Sequence, residues 1–352
     1  MEVTKNGPQL TDSAPIEIAI VCYPGAQATC IHGLTDLFTY ADYFGRLHAS
    51  QPQPLLRVTH WHQPAADLPP ERTFETVSGP AGKPAVVVVP ACQLAPPVSR
   101  HAPGSSAWVR ERHAEGAIIA AVCGGVFVLA DSGLLAGRRA TTHWMFAAEL
   151  AQRFPGMTVE PDRLVIDDYD VITAGGVLGW ADMGLGLVER LLGSTVMLST
   201  ARFMLMDPPR REQRVYSDFA PPLQHGDKII LAIQHWMQAN CRAALSIPQL
   251  AERAGLGTRT FLRRFVKATG MKPSDYHQRL RIARSRELLE FTRDTVEQIA
   301  IATGYEDTGG FRRVFKRVLG LSPGEYRRRF QRERREMAPS AASVTGTIGA
   351  GV

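Results

Sequence analysis

The sequence predicts two folded parts. The first is an α/β domain, a mostly parallel sheet with helices on both faces; the second is an all-α domain built from two helix-turn-helix units. Three observations carry this. Apolar strand-like runs alternate with helical patterns through the first two-thirds of the 352 residues, as βα units require. A Pro- and Arg-rich stretch at 206–224 then breaks the pattern, with Pro208-Pro209, Arg210, Arg211, Arg214 and Pro221-Pro222. Beyond it no convincing strand recurs, and one helical pattern appears twice, about 50 residues apart.

Taken in order, Ile16–Cys22 is a β-rich run that ends at Pro24-Gly25, and Leu34–Phe44 has helical periodicity. Leu55–Trp61 reads as another strand. Ala85–Val89 is nearly pure valine, as suits a strand buried on both faces. Ala117–Val122 is a further buried run, followed at once by Gly124-Gly125 and a helical stretch. Arg163–Tyr169 and Asp170–Thr173 read as paired strands, and Ala181–Leu192 as an apolar helix. This alternation is that of a flavodoxin-like sheet. The expected organisation is a disordered tail at 1–15, the α/β domain at 16–205, a linker at 206–224, the helical domain at 225–335 and a second disordered tail at 336–352. The apolar run Gly116–Ala130 is too short to span a bilayer, so no membrane partner is expected.

Charge is divided as sharply as structure. Residues 1–222 carry 17 Lys+Arg against 22 Asp+Glu, and residues 223–352 carry 23 against 12. A basic part behind an acidic body points to a polyanion partner for that part alone. The cysteines are Cys22, Cys30, Cys92, Cys123 and Cys241. An odd count without CxxC pairs, behind a polar N-terminus with no signal-peptide pattern, fits a reducing cytoplasm.

The repeat aligns Ile247–Gly255 with Val296–Gly304, and Phe261, Phe265, Gly270, Pro273 and Tyr276 with Phe311, Phe315, Gly320, Pro323 and Tyr326. Ser246 with Gln249 and Asp294 with Glu297 read as capping boxes. Gly255 and Gly304 permit the left-handed turn between short helices, and Thr258 and Asp307 then cap the second helices. The Phe pairs lie i,i+4 on a core face. Arg259, Arg263, Arg264 and Lys267 project from the first such helix, and Arg312, Arg313, Lys316 and Arg317 from the second. Such faces suit the phosphates and guanine edges of double-stranded DNA.

Over about 110 residues this region resembles the AraC family. Its signature is matched by Gly304-Tyr-Glu-Asp-Thr-Gly-Gly-Phe-Arg-Arg-Val-Phe-Lys-Arg-Val-Leu-Gly-Leu-Ser-Pro-Gly-Glu-Tyr-Arg327. The resemblance implies two units joined by a long helix near Ser274–Leu289, with recognition helices entering successive major grooves about 34 Å apart. By motif position Arg259, Arg263, Thr308, Arg312 and Arg313 face the bases. Gly309-Gly310 departs from the pattern, weakening the helix start and thinning unit two's reading surface, so unit one is expected to carry more of the specificity.

Upstream, Ala121–Ala130 has the form of a nucleophile elbow, with Cys123 at a helix start where the dipole lowers a thiol pKa. The surrounding pieces are Tyr23-Pro-Gly25, Val86–Pro90, Thr141-Thr-His143 and Thr173-Ala-Gly-Gly176. Together they resemble the ThiJ/PfpI superfamily, which is class I glutamine amidotransferase-like. With the AraC-like part, the chain looks like the GlxA-type regulators. That resemblance implies a homodimer formed through the α/β domain and a small-molecule effector. Cys30 stands where the family carries an acid, Gly124 follows the thiol where protease-like members often carry His, and Ala91-Cys92 replaces Gly-Gly. No catalytic residue, cofactor or metal is therefore assigned, and His32, His60 and His62 lack metal-site spacing. Cys30, Cys92, Cys123, Gly124 and His143 are the expected effector pocket at the strand ends, read either as a thiol-lined site for a small polar metabolite, an electrophile or an oxidant, with His143 as polar partner, or as small apolar walls. A thiol-dependent hydrolase anchored to DNA, and a nonspecific chromosome-associated protein, stay open at this point.

Overall fold

The computed structural model describes residues 14–331 apart from 81, 94–101, 209–211, 218, 220, 222 and 224. The expected tails, Ala14 and Pro15 aside, lie outside the described residues, as do Arg210 and Arg211. The chain divides into two compact units, 1–217 and 218–352, and the division falls inside the expected connecting stretch.

The first unit is a seven-stranded sheet in the order β3-β2-β1-β4-β5-β9-β8. Its strands are β1 (Ile16–Cys22), β2 (Leu56–His62), β3 (Glu71–Glu75), β4 (Val86–Val89), β5 (Ile118–Val122), β8 (Val165–Asp168) and β9 (Val171–Ala174). The five inner strands are parallel, and the edge strands β3 and β8 pair antiparallel to β2 and β9. A short parallel pair, β6 (Arg139–Ala140) and β7 (Thr158–Val159), stands apart.

Alternation along the inner strands supplies two apolar layers. Ile18, Ile20, Val86, Val88, Ala120 and Val122 face one side, where helices α1 (Ala28–Ala49), α5 (Gly179–Leu192) and α6 (Ser194–Phe203) contribute Leu34, Leu37, Phe38, Leu185, Leu187 and Val196. Ala19, Val21, Val87, Val89, Ile119 and Ala121 face the other, against α2 (Pro103–Ala114), α3 (Gly125–Asp131) and α4 (Ala147–Arg153). Continuous apolar strands are what burial on both faces demands. Because β1 lies between β2 and β4, the chain reverses its winding there, and the carboxyl ends of β1, β4, β5 and β9 lie along one edge of the sheet.

The second unit is helical throughout its described residues: α7 (Lys228–Ala239), α8 (Ile247–Arg253), α9 (Thr258–Thr269), α10 (Pro273–Phe291), α11 (Val296–Ala302), α12 (Thr308–Leu319) and α13 (Pro323–Phe330). The repeat is also a packing repeat. Phe261, Phe265 and Tyr276 are fully buried with ring centroids 5.6 and 5.4 Å apart, and Phe311, Phe315 and Tyr326 reproduce the cluster at 5.6 and 5.6 Å. Each short helix ends at a glycine of positive φ, +64° at Gly255 and +86° at Gly304. A Cβ on Gly304 would fall 2.3 Å from the Arg242 carbonyl oxygen, so this turn excludes any side chain.

Ser246 accepts from the Gln249 N–H as expected. Two of the expected caps move. The second capping box is Thr295 with Gln298, one residue beyond Asp294 and Glu297. Thr295 holds the extended backbone that a cap needs, which frees Glu297 for another partner. Thr258 is the first helical residue of α9, and Gly257 precedes it without a side-chain cap. Among the described residues no helix is long and apolar enough to cross a membrane.

Candidate nucleic-acid interface and thiol site

With Phe261 and Phe265 turned inward, helical geometry puts Arg259, Arg263 and Lys267 on the outer face of α9, and all three are exposed. Arg264 lies one residue round and does something else. Its Nε and Nη2 donate to the two Asp227 oxygens at 2.9 and 2.7 Å. Asp227 in turn caps α7 by accepting from the Ile230 N–H at 3.1 Å, and the Arg264 bonds hold its carboxyl below the usual range. The pair is bidentate and part-shielded, with side chains 32% and 19% exposed. Arg264, expected on the groove face, is thus a strut between α9 and α7. Asp227 was legible as a cap, an Asp directly before an apolar helical run, but not as this strut's anchor.

On α12, Arg312 and Arg313 are exposed and lightly held, by Glu297 at 2.8 Å and Asp307 at 3.5 Å. Exposed pairs of this kind contribute about 0–1 kcal/mol, so both guanidiniums can exchange a carboxylate for a phosphate or a base edge at little cost. Lys316 is exposed beside them, Thr308 is the part-exposed first residue of the helix, and Arg317 donates to Gln278. The Gly309-Gly310 departure has a local cause. Asp307 accepts from both glycine N–H groups, at 2.9 and 2.6 Å, and a Cβ on either would crowd its oxygens at 3.2 Å. This double cap offsets the helix-weakening glycines.

In the first unit, Cys30, Cys92 and Cys123 are all buried free thiols, at the carboxyl ends of β1, β4 and β5. Cys123 has φ +53°, the strained backbone of an elbow. Its N–H donates to the Ala174 carbonyl at 2.7 Å, and its carbonyl accepts from the Thr142 hydroxyl at 2.6 Å. The backbone N–H groups of Gly124 and His143 face its sulfur. Burial nevertheless pushes the thiol up to about 12, and Cys30 likewise to about 12. The expected helix-start activation is overturned, because desolvating a thiolate costs more than the start of a seven-residue helix returns.

Gly124 and Cys92 are bound sterically: a Cβ on Gly124 would lie 2.0 Å from the Cys92 sulfur. His143 is brought to the site by its main chain. Its Nδ1 accepts from the Met145 N–H at 3.2 Å, its ring lies against Trp144 and Phe146, and burial lowers its pKa. Tyr23, which directly precedes the Pro24-Gly25 turn, is a wall of the same site, its hydroxyl donating to the Pro90 carbonyl at 2.7 Å. Gln213 also reaches this neighbourhood, donating to the Thr142 carbonyl at 2.8 Å and the Arg163 carbonyl at 3.0 Å. Nothing in its sequence context marks it, because its partners lie far along the chain.

Comparison with known proteins matches both halves. Residues 61–190 match the DJ-1/PfpI family, and residues 250–329 match a helix-turn-helix domain model. The chain carries a DJ-1/PfpI domain followed by a helix-turn-helix domain. The HTH-type transcriptional regulator CdhR of Pseudomonas aeruginosa is 26% identical over 66% of this chain and 69% of its own length. The HTH-type transcriptional regulator GlxA of Rhizobium meliloti is 29% identical over 60% and 65%, and GbdR of Pseudomonas aeruginosa is 28% identical over 60% and 58%. The chain therefore covers between 58 and 69% of these relatives.

Proposed function

We propose that this protein is a DNA-binding transcription regulator that recognises a specific duplex site through α9 and α12, under the control of a non-catalytic DJ-1/PfpI domain. The observation that carries the reading is the repeated scaffold, two aromatic-backed helices presenting Arg259, Arg263 and Lys267, then Arg312, Arg313 and Lys316, to solvent. One cationic helix face is ordinary solvated surface; two on matched scaffolds fit successive major grooves. Band shifts across salt concentration test it. A specific site must survive excess competitor DNA, with a steep salt slope from phosphate contacts. Uniform binding to all duplexes would refute it.

The DJ-1/PfpI domain is read as an effector site because its thiol lacks catalytic company. Cys30 occupies the acid's place, and both thiols are held protonated by burial. Two buried polar atoms bordering the same strand ends, Gln27 Oε1 and Trp180 Nε1, have no hydrogen-bond partner, which favours a small neutral polar ligand over an ion. The expected homodimer is supported by an apolar face on α1 and the end of α6, where Tyr43, Leu47 and Phe203 are 54, 60 and 58% exposed. Exposed aromatic and leucine side chains that neighbour one another are candidates for an interaction surface. Sedimentation of Tyr43→Lys with Leu47→Lys tests it: monomer is expected, and an unchanged dimer refutes this face.

A further inference from the structure

We propose that unit one of the DNA-binding domain reads a thymine methyl group through Val266, beside the base contacted by Arg263. The proposal rests on the reading that α9 enters the major groove. Val266 is an aliphatic side chain left 41% exposed on a helix whose outer face otherwise carries Arg259, Arg263, Lys267 and the part-exposed Thr260. Phe261 and Phe265 are fully buried and fix the rotation of the helix. Arg259, Arg263 and Val266 then fall within about 60° of one another around the outer face. Leu262, the neighbouring aliphatic residue, packs with the core instead. Val266 is not among the residues packed on the unit's apolar core.

The chemistry of the groove gives it a partner. Thymine is the natural base that places a methyl group on the major-groove floor, and small apolar side chains are its usual reader. Arg263 and Val266 are three residues apart, so their Cβ atoms stand about 5–6 Å apart. Base pairs are stacked about 3.4 Å apart, which puts the thymine one or two steps from the base that Arg263 contacts. The second unit lacks this feature. The residue following its buried Phe315 is Lys316, exposed and cationic, suited to a phosphate. The two recognition helices thus differ at this register position: unit one carries an aliphatic side chain there, and unit two carries a cation.

The test uses the full-length chain and the duplex that it selects from a random library. Each thymine of that duplex is replaced singly by deoxyuridine, which removes only the methyl. At one position near the Arg263 contact, the parent protein is expected to lose about four-fold in affinity, the value of one buried methyl. Val266→Ala is expected to bind thymine and uracil there equally, with unchanged melting, since the side chain is exposed. Val266→Lys is expected to lose the same discrimination and steepen the salt slope by about one. The proposal is overturned if no thymine position responds, or if the responding position responds equally in Val266→Ala. The α9 reading itself is tested separately by Arg263→Ala. Retention of full sequence discrimination in that variant would remove α9 from the groove and the Val266 proposal with it.

Discussion

Replacing Gly124 by Ala tests whether the departures around the elbow thiol are one coupled change. An ideal Cβ at 124 lies 2.0 Å from the Cys92 sulfur and 3.3 Å from the Cys92 Cβ. A relaxed contact between such atoms needs about 3.5–4.0 Å. Cys92 is 7% exposed, and Gly125 behind the elbow is itself pressed against Pro90, where a Cβ would lie 2.2 Å from the carbonyl oxygen. Neither side can retreat freely, so overpacking of about 1–3 kcal/mol is expected. Cys92→Ala alone costs roughly 1 kcal/mol through lost burial. In the double variant the new methyl occupies the space vacated by sulfur, so its stability is expected near that of Cys92→Ala. At about 2–4 °C per kcal/mol for a unit of this size, Gly124→Ala lowers the melting of the first unit by about 2–12 °C, and the double variant melts near Cys92→Ala alone. Scanning calorimetry of the full chain reads both. A neutral Gly124→Ala, or strictly additive substitutions, would refute the coupling and leave Gly124 unexplained by Cys92.

Three further outcomes are expected. Arg263→Ala weakens specific DNA binding by about 1–3 kcal/mol without altering stability, whereas Arg264→Ala lowers the stability of the second unit through loss of the Asp227 strut; band shifts and urea unfolding separate them, and exchanged phenotypes would reverse the assignment. Burial holds Cys30 and Cys123 near 12 and raises Cys22 to about 11, so at pH 8 a disulfide reagent reacts first with the part-exposed thiol of Cys241 and reaches Cys123 only on unfolding; immediate labelling that disappears in Cys123→Ser would contradict this. His60 and His277, one in each unit, are lowered by burial from 6.5 to about 4. The unfolded chain therefore binds protons first as pH falls, and stability decreases from about pH 6.5 down to about pH 4. Urea midpoints across that window check the sign, and flat midpoints would show the histidines to be hydrated.

The legible parts of this chain are those whose determinants are local or periodic. Val86–Val89 reads as a buried strand because four valines have no amphipathic alternative, and the Phe–Phe–Tyr repeat fixes both helix pairs without any distant partner. Helix α2 escaped because its buried face includes Ser105 and Ser106, satisfied by the Gln63 side chain and the Val128 carbonyl, so no apolar period marks it. Strand β3 escaped because it is an exposed edge of mostly polar residues. The groove face was legible as charge but not as direction. Arg263 and Arg264 are adjacent and chemically identical, and only an aspartate 37 positions away turns one into a strut. Cys123 was placed correctly at an elbow, yet its acidity depends on burial depth, which spacing does not encode. Val266 fails for the opposite reason: an isolated exposed valine is common and carries no signal by itself. It gains meaning only once Phe261 and Phe265 fix which way α9 faces, and a single methyl on the DNA decides whether that meaning is right.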